Sequence, residues 1–193
     1  MQTSLFPKKL PIPDLEYFEE FISREEEQNL IQQIDNQNWL TDLKRRVQHY
    51  GYKYDYKSRR IDLNMKIGIL PNWVSFLINR FLEKKIFKKT PDQLIINEYF
   101  QGQGIAAHID CEPCFEDTIA SLSLNSDVVM DFSKQKEKIP FVLNQRSLVV
   151  LKGESRFNWK HGIAARKSDR LNGIKTERKR RVSLTFRRVI LEN

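Results

Sequence analysis

The stretch Gly104–Cys114, with the sequence GIAAHIDCEPC, concentrates residue types that could bind a metal ion. His108 and Asp110 stand two positions apart, and side chains two apart in a β-strand point to the same side. An imidazole and a carboxylate directed at one point are suitable ligands for a divalent transition metal. The spacing therefore predicts a metal site, provided that a further ligand comes from elsewhere in the chain.

Iron(II) in oxygenases needs two imidazoles and one carboxylate on one face, with the other positions left open. The chain has 3 histidines, so His49 and His161 are the candidates for the second imidazole. His161 follows a run typical of a buried strand, whereas His49 lies in a basic, aromatic segment. We therefore predict a metal site made by His108, Asp110 and His161, although such a pattern also arises by chance.

Cys111 and Cys114 suggest two competing interpretations of the same stretch, a zinc site and a redox pair. Structural zinc needs four closed ligands, often from two CxxC pairs, and the chain has one pair. A thioredoxin-like CxxC is expected in a βαβ setting, which the chain does not predict. Two cysteines are too few for a disulfide framework, which fits a reducing compartment. We expect both cysteines to be incidental to the chemistry.

The elements that would position these ligands change in character after Pro91. Before it, Ser23–Glu26 has the pattern of a capping box that opens a helix, and residues 72–87 carry apolar side chains at helical spacing. After it, many short strands between turn signals predict a sandwich or barrel. The fold class is therefore α+β, with helices packed on one side of a jelly roll. The short apolar or alternating runs are QLIINEYF, TIASLSL, DVVMDFS, IPFVL, SLVVLKG and RVSLTFRRV.

The last of these strands places arginines on one face. In RVSLTFR, Arg181, Ser183, Thr185 and Arg187 alternate with apolar residues. Arginines on the inner face of a barrel are costly unless they meet anions, so Arg181 and Arg187 could hold a small dicarboxylate at its two ends. The alternative is an edge strand whose arginines face water.

The net charge of +8 is concentrated in two segments. Lys44–Arg60 has seven basic residues against one acid, and Arg166–Arg188 has ten against two. This distribution favours a nucleic-acid partner, with a solvated basic face as the alternative. No run approaches the roughly 18 apolar residues of a membrane span, and the N-terminus lacks the order of a secretory signal. We expect a cytoplasmic monomer without membrane contact, or a nuclear one in a eukaryote.

Taken together, four motifs resemble the AlkB family of Fe(II)/2-oxoglutarate dioxygenases between about Leu94 and Arg188. They are NEYFQGQGIAAHID, SLSLNSDVVMDF, RSLVVLKGESRFNWKHGI and RVSLTFR. The resemblance implies a double-stranded β-helix in which His108, Asp110 and His161 bind iron, with 2-oxoglutarate and O₂ as co-substrates. The residues that match 2-oxoglutarate contacts of the family are Asn97, Tyr99, Arg181 and Arg187, with Ser183 where some members have asparagine.

The resemblance also implies one domain over residues 1–193. A helical extension would cover about residues 1–40, a nucleotide-recognition lid about residues 41–62, and the catalytic jelly roll about residues 92–190. A flipped base must leave its stack to reach the iron, so a lid of basic and aromatic side chains would hold phosphates and stack on bases. The lid residues predicted to bind substrate are Arg45, Arg46, Tyr50, Tyr52, Arg59 and Arg60.

The implied reaction is oxidative demethylation of N-alkylated bases in DNA or RNA, with release of succinate, CO₂ and formaldehyde. Glu112 stands where repair-type relatives place an acid that faces the base, and a carboxylate there would attract a cationic lesion. The motifs QGQGIAAHID and GESRFNWKHGI most resemble the oxygenase domain of the tRNA wobble-uridine hydroxylase. Enzymes of that class carry further domains, for which we expect this chain to have no room. We therefore favour demethylation, with hydroxylation of a modified wobble uridine as the alternative. A non-catalytic nucleic-acid-binding module or a protein hydroxylase is the second alternative.

Overall fold

The computed structural model describes residues 10–41, 44–55, 58 and 60–191. Twelve strands and three α-helices are assigned within these residues, together with two 3₁₀ turns at Leu63–Met65 and Asn72–Val74. In chain order the elements are β1 (Leu15–Phe18), α1 (Arg24–Asp35), β2 (Arg46–Tyr50), α2 (Ser75–Glu83), β3 (Gln93–Tyr99), β4 (Ile105–His108), β5 (Phe115–Leu124), β6 (Val128–Lys134), β7 (Glu137–Leu143), β8 (Leu148–Leu151), α3 (Gly153–Phe157), β9 (Lys160–Ile163), β10 (Ser168–Leu171), β11 (Ile174–Glu177) and β12 (Arg181–Val189).

Two antiparallel sheets form the body of the protein. The major sheet has the order β1-β8-β5-β12-β3-β2, and the minor sheet has the order β4-β9-β6-β7. Strands far apart in the chain are therefore neighbours, as in a double-stranded β-helix. This arrangement confirms the predicted jelly roll.

Strand β12 lies at the centre of the major sheet and separates two environments. Val182, Leu184 and Phe186 are fully buried and belong to the core beneath the helices. The alternate residues, from Arg181 to Arg187, point to the other face, toward the minor sheet. The alternation found in the sequence therefore divides an apolar core from a polar interior.

The helices pack on the outer face of the major sheet, as the sequence predicts. Helix α1 begins at a capping box in which the Glu26 N–H donates to Ser23 Oγ at 3.1 Å, and the Ser23 N–H donates to the Glu26 carboxylate at 2.8 Å. Leu30 of α1 and Phe81 of α2 are buried in the core shared with β12. None of the helices in the described ranges is long and apolar enough to span a membrane.

Two further segments, strand β2 and the pair β10 and β11, bear on the geometry of the site. Strand β2, within the predicted lid, pairs with β3 at the edge of the major sheet, with Val47 opposite Asn97. Strands β10 and β11 form a separate two-stranded hairpin between His161 and Arg181.

Candidate metal centre and its two cavities

The three predicted metal ligands converge in the structure. Strands β4 and β9 pair so that His108 lies directly opposite His161, with their ring centroids 4.5 Å apart. Asp110 follows β4, and its Oδ2 lies 3.7 Å from His161 Nε2. One ligand atom from each of the three residues lies within 4.8 Å of the others. A cross-strand pair and the residue after the strand thus place two imidazoles and one carboxylate around one point.

The protonation state of this cluster suits a metal ion. Burial lowers the pKa of His161 to about 4, because the interior disfavours the imidazolium, so this ring is neutral near pH 7. His108 Nδ1–H donates to the Ala106 carbonyl at 2.8 Å, which leaves Nε2 with its lone pair. The neutral ring of His161 and the Nε2 atom of His108 are therefore the candidate metal ligands.

Asp110 supplies the negative charge of the cluster. Burial alone would raise the pKa of Asp110, but the nearby charge of Arg187, with the histidines, holds this pKa well below its ordinary value. Its Oδ2 is buried and has no hydrogen-bond partner among the described residues. A buried carboxylate oxygen without a partner is costly, and a bound cation would satisfy it. The donor set fits iron(II), which is bound by two histidines and one carboxylate in oxygenases of this type.

A small inner cavity of about 50 Å³ lies between the two sheets beside this cluster. His108 and His161 form part of its wall, and the inward face of β12 forms another part. The register of β12 on β3 sets Arg181 opposite Tyr99 and Ser183 opposite Asn97. All five residues predicted to contact 2-oxoglutarate line this cavity, namely Asn97, Tyr99, Arg181, Ser183 and Arg187.

Arg181 is a buried cation without a counter-ion inside this cavity. It is 3% exposed, and no carboxylate of the described residues forms an ion pair with it. Its NH2 donates to Ser123 Oγ at 2.8 Å, its guanidinium lies 5.6 Å from the Tyr99 ring centroid, and its Nε has no partner. Burial lowers the pKa of Arg181 to about 10, and the side chain remains charged near pH 7. Such a group is prepared to bind the carboxylate of a small diacid.

Arg187 has a different environment from Arg181. Its NH2 donates to Asp110 Oδ1 at 2.6 Å, and its NH1 donates to the Gln93 side chain at 3.2 Å. The sequence suggested that Arg181 and Arg187 grip the two ends of one dicarboxylate. In the structure Arg187 is neutralised by a metal ligand, which it also orients, so Arg181 alone offers an unpaired cation.

A second, outer cavity of about 390 Å³ also borders the metal cluster. It shares Asn97, His108 and Arg187 with the inner cavity, so a molecule bound here would face the metal. Arg45 stands in its wall, where Nε donates to Asn97 Oδ1 at 2.7 Å. Asp110 is the one carboxylate residue that lines this cavity within the described ranges.

The structure corrects the expectation for two lid residues. Along β2, Arg46 and Tyr50 point to the helical layer and line neither cavity. Arg46 forms an ion pair with the fully buried Glu98, and Tyr50 packs edge-on against Trp73 at 5.8 Å. The sequence predicts that neighbouring side chains along β2 point to opposite faces. It does not predict which of the two faces borders the site.

The other predicted substrate contacts that the structure describes also lie away from the outer cavity. Tyr52 is 6% exposed and belongs to the apolar core beneath the minor sheet. Arg60 borders a separate surface groove, and Arg59 lies outside the described residues. Glu112 is exposed in the turn after Asp110 and lines neither cavity. Of the predicted substrate contacts within the described residues, Arg45 is therefore the one that lines the outer cavity.

The cysteines also differ from expectation. A disulfide joins Cys111 to Cys114, and the described chain contains no free cysteine. The two residues are close because Asp110 is followed by a tight turn, in which the Cys114 N–H donates to the Cys111 carbonyl at 3.3 Å. The bond closes the turn that carries a metal ligand, so the cysteines are not incidental to the geometry of the site.

Comparisons with known proteins agree with this geometry. Residues 36–187 match the family model described as the 2OG-Fe(II) oxygenase superfamily. The chain is 41% identical to the tRNA (carboxymethyluridine(34)-5-O)-methyltransferase ALKBH8 of Macaca fascicularis, over 96% of this chain and 32% of that protein. It is 37% identical to the uncharacterized protein L905 of Acanthamoeba polyphaga mimivirus, over 90% of this chain and 83% of that protein. The chain thus spans about a third of the length of its ALKBH8 relatives.

A comparison with solved structures concerns the fold. The structure of OsALKBH1 matches with a TM-score of 0.70 and 18% sequence identity, over 94% of this chain and 99% of that chain. At this identity the match concerns the fold, while the family model and the relatives above concern the sequence. The chain therefore belongs to the 2OG-Fe(II) oxygenase superfamily and, within it, to the AlkB family, whose oxygenases use Fe(II), 2-oxoglutarate and O₂.

Proposed function

We propose that the protein hydroxylates the side chain of a modified wobble uridine in tRNA. The observation that carries this proposal is the charge of the outer cavity. Arg45 contributes a cation to the wall, whereas the carboxylate of Asp110 is already paired with Arg187 and belongs to the metal cluster. A neutral or anionic base substituent suits such a wall better than a cationic base does.

This charge argument reverses the preference drawn from the sequence. Demethylation of a cationic base was favoured because Glu112 would face the lesion, but Glu112 is exposed outside both cavities. Beside Arg45 a cationic base would be repelled, and two charges about 4 Å apart near a protein surface interact with up to roughly 4 kcal/mol. The substrate class is taken from the relative at 41% identity, whose name specifies carboxymethyluridine in tRNA.

The residues of the inner cavity would bind the co-substrate. His108, Asp110 and His161 would hold iron(II), which with 2-oxoglutarate and O₂ would supply oxidation of a substrate C–H bond, coupled to conversion of 2-oxoglutarate to succinate and CO₂. Arg181 would pair with the distal carboxylate of 2-oxoglutarate. Arg187 keeps Asp110 deprotonated and fixes the direction of its Oδ2.

The residues of the outer cavity would hold the base. A base must leave its stack to reach the metal, and the rings of Tyr54 and Phe115, with centroids 5.9 Å apart, line the cavity into which it would turn. The bond from Arg45 Nε to Asn97 fixes the guanidinium in the wall. Its remaining N–H groups could donate to a uracil carbonyl or to a carboxylate of the substituent.

The proposal is tested with anticodon stem-loop RNAs that carry 5-carboxymethyluridine or its methyl ester at the wobble position. The purified chain is incubated with Fe(II), 2-oxoglutarate and O₂, and the digested nucleosides are analysed by mass spectrometry. The expected product is the uridine derivative with one added oxygen and without formaldehyde. RNA and DNA with 1-methyladenine or 3-methylcytosine serve as parallel substrates.

Each alternative has its own result in the same experiment. Release of formaldehyde from a methylated base, with the uridines unchanged, would favour oxidative demethylation over the proposal. Turnover on peptides with no nucleic-acid product would indicate a protein hydroxylase. No succinate from 2-oxoglutarate under any condition would indicate a non-catalytic nucleic-acid-binding module.

A further inference from the structure

The basic run Arg166–Arg188 separates into two groups in the folded chain. Six of its ten cations serve the protein itself. Five of them form ion pairs with carboxylates, namely Arg166, Arg178, Arg180, Arg187 and Arg188, and the sixth is Arg181 in the inner cavity. The other four form no ion pair within the described residues, are exposed, and lie on or beside the β10–β11 hairpin. They are Lys167, Arg170, Lys175 and Lys179.

The hairpin that carries these cations is held firmly at its base. Asp169 is buried and accepts two hydrogen bonds from Arg178, at 2.7 and 2.8 Å, and one from the Val129 N–H at 3.1 Å. At the tip, Asn172 and Gly173 have φ angles of +49° and +83°, which is the two-residue Asn-Gly turn that matches the twist of paired strands. The hairpin is thus a fixed projection rather than a loose loop.

The face of the hairpin away from its anchor has an unfavourable charge arrangement. Arg170 and Lys175 are direct cross-strand partners in the antiparallel ladder. Like charges in this position destabilise a strand pair. Arg170 donates to the Gly173 carbonyl at 2.9 Å, and neither cation meets a carboxylate among the described residues. An anion bound between them would remove the repulsion.

The hairpin is connected to the wall of the outer cavity by a chain of hydrogen bonds. Its base accepts bonds from the β3–β4 connection, where the Gln101 side chain donates to the Lys167 carbonyl at 3.3 Å. In the same connection, the Gln103 side chain donates to the Lys44 carbonyl at 2.7 Å. Lys44 is exposed and precedes Arg45, which lines the outer cavity. Exposed cations therefore occur at both ends of this connection, on the hairpin and at Lys44.

We propose that the β10–β11 hairpin binds the sugar–phosphate backbone of the nucleic acid whose base enters the outer cavity. The inference rests on the proposed function for the identity of that base, but not for the contact itself. Arg170 and Lys175 would bind phosphates at a distance from the metal, with Lys44 along the path between. Recognition then requires a nucleic acid long enough to reach both places, and a free nucleoside would lack this contact.

The test compares the double variant Arg170→Thr/Lys175→Thr with a control that removes the same charge elsewhere. Threonine favours strands, and the Asp169 anchor is untouched, so the hairpin should persist. The control is Lys84→Ser/Lys85→Asn, at the end of α2 in the helical layer; Lys85 has a φ of +55°, which asparagine tolerates. Melting temperature and circular dichroism establish that both variants are folded.

Binding of a labelled anticodon stem-loop RNA, and of a DNA hairpin of the same sequence, is measured by fluorescence anisotropy over a salt series without iron. The hairpin variant should bind about tenfold more weakly at low salt, and its slope of log K against log salt should be smaller in magnitude by about 2, or about 1 for each lost phosphate contact. The control should match the wild type. Weaker binding of both RNA and DNA, or of RNA alone, by the hairpin variant supports the contact and shows which type of backbone the hairpin binds.

Affinity and salt slope that are equal in the hairpin variant and the control would overturn the inference, as would a wild type that binds neither oligonucleotide. These results are independent of catalysis. If no uridine is oxidised but the hairpin variant still loses binding, the proposed reaction fails and the hairpin contact stands. If uridine is oxidised equally well by both variants with unchanged KM for RNA, the hairpin contact fails and the reaction stands.

Discussion

Arg156 is bonded to the main chain of a metal ligand: its NH1 donates to the Asp110 carbonyl at 3.0 Å, and its NH2 donates to the Cys111 carbonyl at 3.1 Å. Arg156 is 1% exposed and comes from α3, which directly precedes β9 and its ligand His161. The buried guanidinium of Arg156 thus connects the turn after Asp110 to helix α3, which leads to His161. We regard Arg156 as a positioning residue for the metal site.

Replacing Arg156 by methionine should weaken metal binding. Two buried carbonyls lose their donors, at about 1–3 kcal/mol each, and part of that cost falls on the position of Asp110. We expect the dissociation constant for Mn²⁺, measured by calorimetry, to rise about tenfold or more. Arg156→Lys should recover part of the affinity, because an ammonium can reach one carbonyl. Unchanged metal affinity in a folded methionine variant would contradict the positioning role.

Replacing Arg181 by methionine should separate stability from co-substrate binding. The guanidinium is buried without a counter-ion, so its removal should leave the melting temperature of the apo protein unchanged or higher. The variant should lose the stabilisation that 2-oxoglutarate gives to the wild type, and its KM for 2-oxoglutarate should rise about 10- to 100-fold, since a charged hydrogen bond contributes roughly 1.5–3 kcal/mol.

Ser123→Ala is the matched control for Arg181, because it removes the hydroxyl that accepts from Arg181 NH2 and keeps the cation. A modest effect on 2-oxoglutarate is expected from this change. If Arg181→Met and Ser123→Ala reduced 2-oxoglutarate binding equally, the charge of Arg181 would not be what binds the diacid.

Acid should destabilise the metal-free protein through His161. Its pKa is about 4 in the folded protein, against about 6.5 in the unfolded chain, because burial disfavours the charged ring. The unfolded state therefore takes up the proton first, and stability that is present above pH 6.5 is lost as the pH falls toward 4. The loss is at most about 3 kcal/mol, at 1.36 kcal/mol per unit of pKa.

Urea denaturation of the apo protein between pH 7.5 and pH 4.5 measures this dependence. In His161→Gln the side chain cannot titrate, so the free energy of unfolding should change less over the same range. Equal slopes for the variant and the wild type would assign the acid sensitivity to other groups.

The sequence was sufficient for those parts of the site that depend on strand periodicity. Arg181 through Arg187 in alternation required only that the segment be a strand with one face inward. His108 and Asp110 converge as predicted, although Asp110 lies just after the end of β4. The closure of the metal site depends on the pairing of β4 with β9, which His161 alone could not reveal. The residues and the family resemblance predicted the three ligands, whereas the strand pairing that brings them together is seen only in the structure.

Other parts of the site depend on tertiary contacts that the sequence does not encode locally. Alternation along β2 is evident, but the buried Glu98 decides that Arg46 turns to the helical layer. Glu112 is two residues after Asp110, yet the tight turn closed by Cys111 and Cys114 ends the strand geometry and leaves that side chain outside. Arg156 carried no sequence signal, since a buried arginine is identified only by the carbonyls it meets.

The disulfide should be a modest stabiliser of the metal turn. Cys111→Ser/Cys114→Ser opens a closed loop of four residues. In the wild type this loop lowers the entropy of the unfolded chain and so stabilises the folded protein by about 2 kcal/mol. We expect the variant to unfold at lower urea concentration while it retains metal binding, because Arg156 still holds the turn. Mass spectrometry of the alkylated protein, with and without a dithiol reductant, measures the bond itself. Free thiols in the untreated protein would contradict its presence.

Arg45 should determine which substrates enter the outer cavity. In Arg45→Met the cation anchored on Asn97 is lost, so KM for RNA with 5-carboxymethyluridine should rise about tenfold, in line with roughly 1.5 kcal/mol for one charged hydrogen bond. RNA with 1-methyladenine, whose base is cationic, should be bound no worse than by the wild type. Arg46→Met is the matched control at the neighbouring residue, because the side chain of Arg46 turns away from the cavity and pairs with Glu98. It should lower the free energy of unfolding without a change in substrate preference. Equal KM changes for the two RNAs in Arg45→Met would remove charge selection as the basis of the substrate class.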